Sequence, residues 1–192
     1  MIALIPGHGQ KAAGYDPGAV AGQLEEARLV RTLCARIVEV AGDGRAQVFE
    51  GPRYTDRRVA GHRWLAERGG RGVVLHVHCN AGGGSYGLIL HDPRSRLGGA
   101  TAASLGSALS LAVPPGPRSA DGITAWRCDA AIRPTWSRGA NLLEPTFHAP
   151  MGVAAVLLEW AFIDNPAHVD LMTTPAGIDR TARAVVSGLL ES

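Results

Sequence analysis

Val73-Val74-Leu75-His76-Val77-His78-Cys79-Asn80 is a short apolar run that ends in polar residues, and its reading decides the fold. A valine-rich run of this length favours a strand covered on both faces. Side chains alternate along a strand, so His76, His78 and Asn80 share one face and Cys79 takes the other. Three polar residues converging at the end of a buried strand suit chemistry better than packing. Two arrangements are open. Both histidines can chelate one metal, or the outer His78 binds while His76 lies one pleat deeper as a packed or supporting residue.

Outward from this strand the pattern alternates. Ile2 to Ile5 is a strand stopped by Pro6-Gly7, and a loop rich in glycine and proline runs to Gly22. A helix is expected from about Leu24 to Val40, with Val30, Leu33, Cys34, Ile37 and Val38 on its apolar face. Ala46 to Phe49 reads as a strand, and Asp56 can cap a helix reaching Arg68. After the Ala81-Gly82-Gly83-Gly84-Ser85 loop come a strand at Gly87 to His91 and a helix from Leu97 to Leu111. A turn at Pro114 to Pro117 follows. From Ser119 to Met151 the pattern supports one strand and a short helix near Asn141. Val153 to Leu158 is a second buried run, and a last helix after Pro175 packs through Ile178, Ala182, Val185, Val186 and Leu189. The expectation is a single α/β domain with a twisted, mostly parallel or mixed sheet, flanked by helices on both faces.

Composition fits one compact domain. The 192 residues are 46% hydrophobic and 19% charged, which allows a sizeable core. A net charge of +2 with no basic run gives no support for nucleic-acid binding. No apolar run reaches the roughly 18 residues that a membrane span needs, so no membrane insertion is expected. The N-terminus lacks the charged and apolar regions of a signal peptide. Three widely spaced cysteines, Cys34, Cys79 and Cys128, without any CxxC pair, argue against a disulfide framework and a cysteine zinc site.

Four stretches carry residues suited to one metal ion and a base beside it: Pro6-Gly7-His8-Gly9, Gly22-Gln23-Leu24-Glu25, the strand end at His76 to Asn80, and Val156-Leu157-Leu158-Glu159. Catalytic zinc commonly takes three protein ligands and leaves a fourth position open. His8 follows a strand between two flexible glycines. Glu25 opens an amphipathic helix, and Glu26 is an equally acidic competitor pointing about 100° away around that helix. Glu159 ends an apolar run, where a carboxylate is rarely buried without a partner. His62, His91 and His168 look less useful. His148 can line a cleft, and Glu144 is a loop carboxylate without an evident partner.

The ordered set is similar to the zinc-dependent N-acetylmuramoyl-L-alanine amidases of the type often called amidase 3. These cut peptidoglycan between the lactyl group of muramic acid and the first L-alanine of the stem peptide. The resemblance rests on Ile5-Pro6-Gly7-His8-Gly9 with Asp16-Pro17-Gly18-Ala19, on Gly22-Gln23-Leu24-Glu25, on His76-Val77-His78-Cys79-Asn80-Ala81, and on Val156 to Asn165. It covers nearly the whole chain and implies an amidase catalytic domain over 1–192, with a sheet of about six strands. It further implies one zinc per chain held by His8, Glu25 and His78, Glu159 as catalytic acid/base, and Asn80 hydrogen-bonding the substrate. The chain departs from the family pattern at Pro6, where an Asp-Pro pair is common, at His76, where serine is common, and at Trp160-Ala161. The approach from Thr146 to Val153 is longer than usual. The absence of a signal peptide favours a bacteriophage endolysin, held in the host cytoplasm until it reaches the wall. A bacterial wall-remodelling amidase is the alternative setting. A zinc carboxypeptidase-like peptidase and an inactive wall-binding protein are the rival functions.

Overall fold

The computed structural model describes residues 1–113, 126–130 and 152–190. Strand β1 (Ile2–Pro6) leads into two small hairpins, β2 (Gly9–Lys11) with β3 (Gly14–Asp16) and β4 (Val20–Ala21) with β5 (Leu24–Glu25). Helix α1 (Glu26–Ala41), strand β6 (Ala46–Val48), helix α2 (Tyr54–Ala66) and strand β7 (Gly72–Asn80) follow. Then come β8 (Gly87–His91), α3 (Arg96–Ala112), β9 (Trp126–Ala130) and β10 (Val153–Phe162). A 3-10 turn at Pro166–His168, a short helix α4 (Val169–Thr173) and α5 (Pro175–Leu190) complete the described chain.

Six strands form one sheet in the order β6-β1-β7-β10-β8-β9. The first four run parallel, β8 is antiparallel to β10, and β9 is parallel to β8. This is the mixed α/β sheet expected. Its two faces bury different sets. Ile2, Leu4, Leu75, Val77, Val156 and Leu158 pack with α1, α3 and α5. Ala3, Ile5, Val74, Ala155 and Leu157 pack with Trp64 and Leu65 of α2. Both faces being covered explains why β7 and β10 read as continuous apolar runs rather than alternating ones. Among the described residues no helix is long and apolar enough to cross a membrane.

The strand order fixes where a site can form. From β1 the chain crosses over one face, through α1, to β6 on one side. It then returns over the other face, through α2, to β7 on the opposite side. The strand order therefore reverses between β1 and β7, and such a switch point leaves a crevice outside the carboxyl ends of the strands. His8 follows the end of β1, and His78 lies near the end of β7.

Three local expectations differ from the structure. The segment to Gly22 is two hairpins rather than loop alone. Helix α1 begins at Glu26, not Leu24, because Leu24 and Glu25 pair with Val20 and Ala21. Helix α2 starts at Tyr54 with Arg53 as its cap, and Asp56 lies in the first turn, where a carboxylate favours the positive end of the helix. The short helix expected near Asn141, and His148 and Glu144, lie outside the described residues.

Candidate metal centre

His8 is built on an unusual backbone. Its φ of 55° is in the left-handed region, and no other non-glycine described residue has a positive φ. A branched-off side chain there is strained, so the surroundings must hold it. Two arginines do so. Arg57, only 2% exposed, donates to the carbonyls of Pro6, His8, Gln10 and Gly51 at 2.6–3.0 Å. Arg31 donates to the carbonyls of Gly7 and His8 and pairs with Glu50. Gly7 has to be glycine for a separate reason: a Cβ there would sit 2.5 Å from the His78 ring.

The His8 ring is oriented by Asp16 on β3, whose Oδ2 lies 2.8 Å from Nδ1. Lys11 and His8 hold the Asp16 carboxyl well below the usual carboxylate range. Asp16 therefore remains an acceptor, and the second ring nitrogen, Nε2, faces Glu26 Oε2 at 3.3 Å. A carboxylate behind a histidine in this way fixes the ring and raises its basicity as a ligand.

Glu26 is the meeting point. Its side chain is 4% exposed. His78 Nδ1 lies 3.0 Å from Oε1, and the backbone N–H groups of Cys79 and Ala19 donate to Oε1 and Oε2, each at 3.0 Å. Burial alone would push its carboxyl upward. The bonds from His78 and Ala19, with the charges of both histidines, outweigh burial and hold it below its ordinary value. His8, Glu26 and His78 each offer one donor atom, and those atoms lie within 4.8 Å of one another. Two imidazoles and a carboxylate at this spacing form a donor set that fits a divalent metal ion of the zinc type.

Glu25 is not in this group, contrary to the sequence expectation. Its Oε2 accepts from Tyr15 Oη at 2.8 Å and pairs with Arg28 Nε at 3.0 Å. The reason is the late start of α1. Glu25 is the extended last residue of β5, with φ −121° and ψ 126°, while Glu26 is the first helical residue and turns into the crevice.

The remaining site residues fall as follows. Glu159 is fully buried and is the register partner of His78 across the parallel β7–β10 ladder. It shares the sheet face of Leu157, on the α2 side. The register shifts between Glu159 and Phe162, so Trp160 and Ala161 both pack into the opposite core. Asn80 ends β7 and uses its Oδ1 to accept from the Ala81 N–H at 3.0 Å. Beyond it, Asp164 accepts from the N–H groups of Gly82 and Gly83, tying the glycine loop to the segment after β10. His76 is fully buried outside the donor group and bonds Tyr54 Oη at 2.6 Å. Burial drives its basicity well down, with the charge of His78 adding. Cys79 points into the α1-side core as expected, and burial raises its thiol well above the usual value.

Glu26, Asp16, Arg57 and Tyr54 belong to the site and were not assigned to it from sequence. Asp16 left a signal in its place beside Pro17-Gly18, close in sequence to His8. Arg57 and Tyr54 left none, since an arginine and a tyrosine in a helix read equally well as surface and core residues.

No protein-family model matches the chain, and no curated protein sequence matches it. Solved structures do. The chain is similar to the N-acetylmuramoyl-L-alanine amidase AmiC2 of Nostoc punctiforme, with 16% identity and a TM-score of 0.68 over 100% of this chain and 96% of that one. It is similar to the catalytic domain of the CD27L endolysin targeting Clostridia difficile, with 18% identity and a TM-score of 0.67 over 100% and 97%. It is also similar to the CwlD amidase of Clostridioides difficile, solved in complex with the GerS lipoprotein, with 15% identity and a TM-score of 0.66 over 97% and 95%. At these identities the likeness is one of fold. It spans the chain from end to end.

The geometry separates two adjacent glutamates. Glu26→Ala should abolish tight zinc uptake, whereas Glu25→Ala should bind zinc as wild type does. Titration of the purified, metal-stripped variants with zinc against a competing chelator measures this. Equal loss in both, or loss in Glu25→Ala alone, would contradict the assignment.

Proposed function

We propose that this chain is a zinc-dependent peptidoglycan hydrolase that cuts the amide between N-acetylmuramic acid and the L-alanine of the stem peptide. The observation that carries the reading is the convergence of His8, Glu26 and His78 at the switch-point crevice, with Glu159 on the adjoining strand. The solved structures of this fold named as amidases support it. The narrower proposal is a bacteriophage endolysin, supported by the likeness to the CD27L catalytic domain.

His8, Glu26 and His78 would hold the zinc, which when bound supplies Lewis acidity toward a water and an amide carbonyl. The protein's own part is positioning and proton handling. Asp16 keeps His8 turned toward Glu26, and Arg57 and Arg31 keep its loop from relaxing. Glu159 accepts the proton of the attacking water on its carboxylate and returns it to the alanine nitrogen as that amine departs. Its place on β10 suits this work, because a residue in the middle of a paired sheet is held without loop motion. Asn80, at the end of the same strand as His78, is positioned to hydrogen-bond the substrate at the crevice.

Which bond breaks tests the proposal. Digestion of purified peptidoglycan should expose new alanine amino termini and release intact stem peptides, with no new reducing ends. Terminal labelling, a reducing-end assay and mass measurement of the fragments read these three outcomes. Shortened peptides still attached to glycan would instead indicate a peptidase of the carboxypeptidase kind, and new reducing ends a glycosidase.

Glu159→Gln tests the proton carrier. The variant should fold and bind zinc normally but turn over walls about 100- to 10,000-fold more slowly, the usual worth of a general acid–base group. Turnover near that of wild type would require another base.

A further inference from the structure

Tyr54 is outside the donor group, yet its hydroxyl lies between two histidines. Its Oη is 2.6 Å from His76 Nδ1 and 3.3 Å from His78 Nε2. The other nitrogen of His78, Nδ1, is the one that faces Glu26 Oε1 at 3.0 Å. An imidazole holds a metal through a bare nitrogen, and the neutral ring then carries its proton on the other one. With Nδ1 turned to the donor group, that proton belongs on Nε2, which faces Tyr54.

We propose that Tyr54 and His76 are positioning residues that hold His78 in its metal-binding form, with Nδ1 bare and Nε2 protonated. The inference rests on the metal-centre reading above. His78 Nε2–H donates to Tyr54 Oη, and the Tyr54 hydroxyl donates to His76 Nδ1. His76 then carries its own proton on Nε2. Each of the three groups holds one proton, so the chain of bonds is neutral throughout. A phenol donates and accepts at once, which is what a link between two ring nitrogens requires.

The surroundings suit this role. His76 is fully buried and stacks on Tyr54, with ring centroids 5.5 Å apart and planes 30° apart. The His76 ring is shut off from solvent, and the half-buried Tyr54 ring packs against it. Tyr54 is the first residue of α2, and Arg57, one turn later, grips the loop that carries His8. The opening of α2 thus supports both histidines of the donor group, one through its backbone and one through its ring. Partners behind a ligand of this kind typically change metal affinity by about 10- to 100-fold when removed.

Histidine-selective nitrogen-15 NMR on the zinc-loaded wild-type protein reads the protons directly. It should show zinc on His78 Nδ1, and a proton on Nε2 of both His78 and His76. Chelator competition should show Tyr54→Phe binding zinc about 10- to 100-fold more weakly, with its thermal unfolding still cooperative. Adding His76→Phe to Tyr54→Phe should weaken zinc little further, because the link to His78 is already cut. Zinc on His78 Nε2 in the wild type would overturn the inference, and so would wild-type zinc affinity in Tyr54→Phe. The wild-type spectrum needs no variant to fold. A wild-type protein that takes up no zinc would sink the metal-centre reading itself, and this inference with it.

Discussion

The carboxylate of Glu26 is the constraint on which the site depends. A buried ionised carboxylate is expensive unless donors surround it. Here its partners come from three separate places: the N–H groups of Ala19 before β4 and Cys79 at the end of β7 donate to it, and the ring nitrogens of His8, after β1, and His78, on β7, face it. These segments are far apart in sequence. They are held together around one side chain that cannot be left without them. Removing a single donor would leave part of the charge uncompensated.

The sheet makes this convergence inexpensive. Parallel strands β1, β7 and β10 deliver their carboxyl ends side by side, with Pro6 opposite Val77 and Glu159 opposite His78. The switch in strand order opens the crevice there, and α1 enters it with its first residue. What remains costly is the left-handed backbone at His8, and Arg57 and Arg31 offset it by taking up the carbonyls around it. A buried arginine bonded almost wholly to backbone is a structural clamp, and its loss would be felt at the donor group rather than in the sheet.

Much of this was legible in the sequence, and the reasons differ by element. Val73 to His78 and Val153 to Leu158 declared themselves because strands covered on both faces read as unbroken apolar runs. His8 and His78 stood out by their places at strand ends, and only the family resemblance singled them out as ligands. Sequence favours Glu25 over Glu26 only as long as α1 is taken to begin at Leu24. A two-residue shift in a helix start changes a side chain's direction entirely, and the Val20–Ala21 pairing that caused it leaves little trace in composition. The roles of Tyr54 and Arg57 were not legible at all. Both depend on α2 lying against the carboxyl end of the sheet, a tertiary fact that no local pattern carries. From sequence His76 reads equally as ligand or supporting residue, and in the fold it lies behind Tyr54.

Whether His8, Glu26 and His78 hold one metal ion is open to direct observation in a crystal structure of the zinc-loaded protein, with anomalous data collected at the zinc edge. One strong peak per chain is expected, with a nitrogen from each histidine and a Glu26 oxygen at about 2.0–2.2 Å, the usual range for zinc with these donors. A peak coordinated by Glu25 or His76, or one away from the β1–β7 crevice, would contradict it.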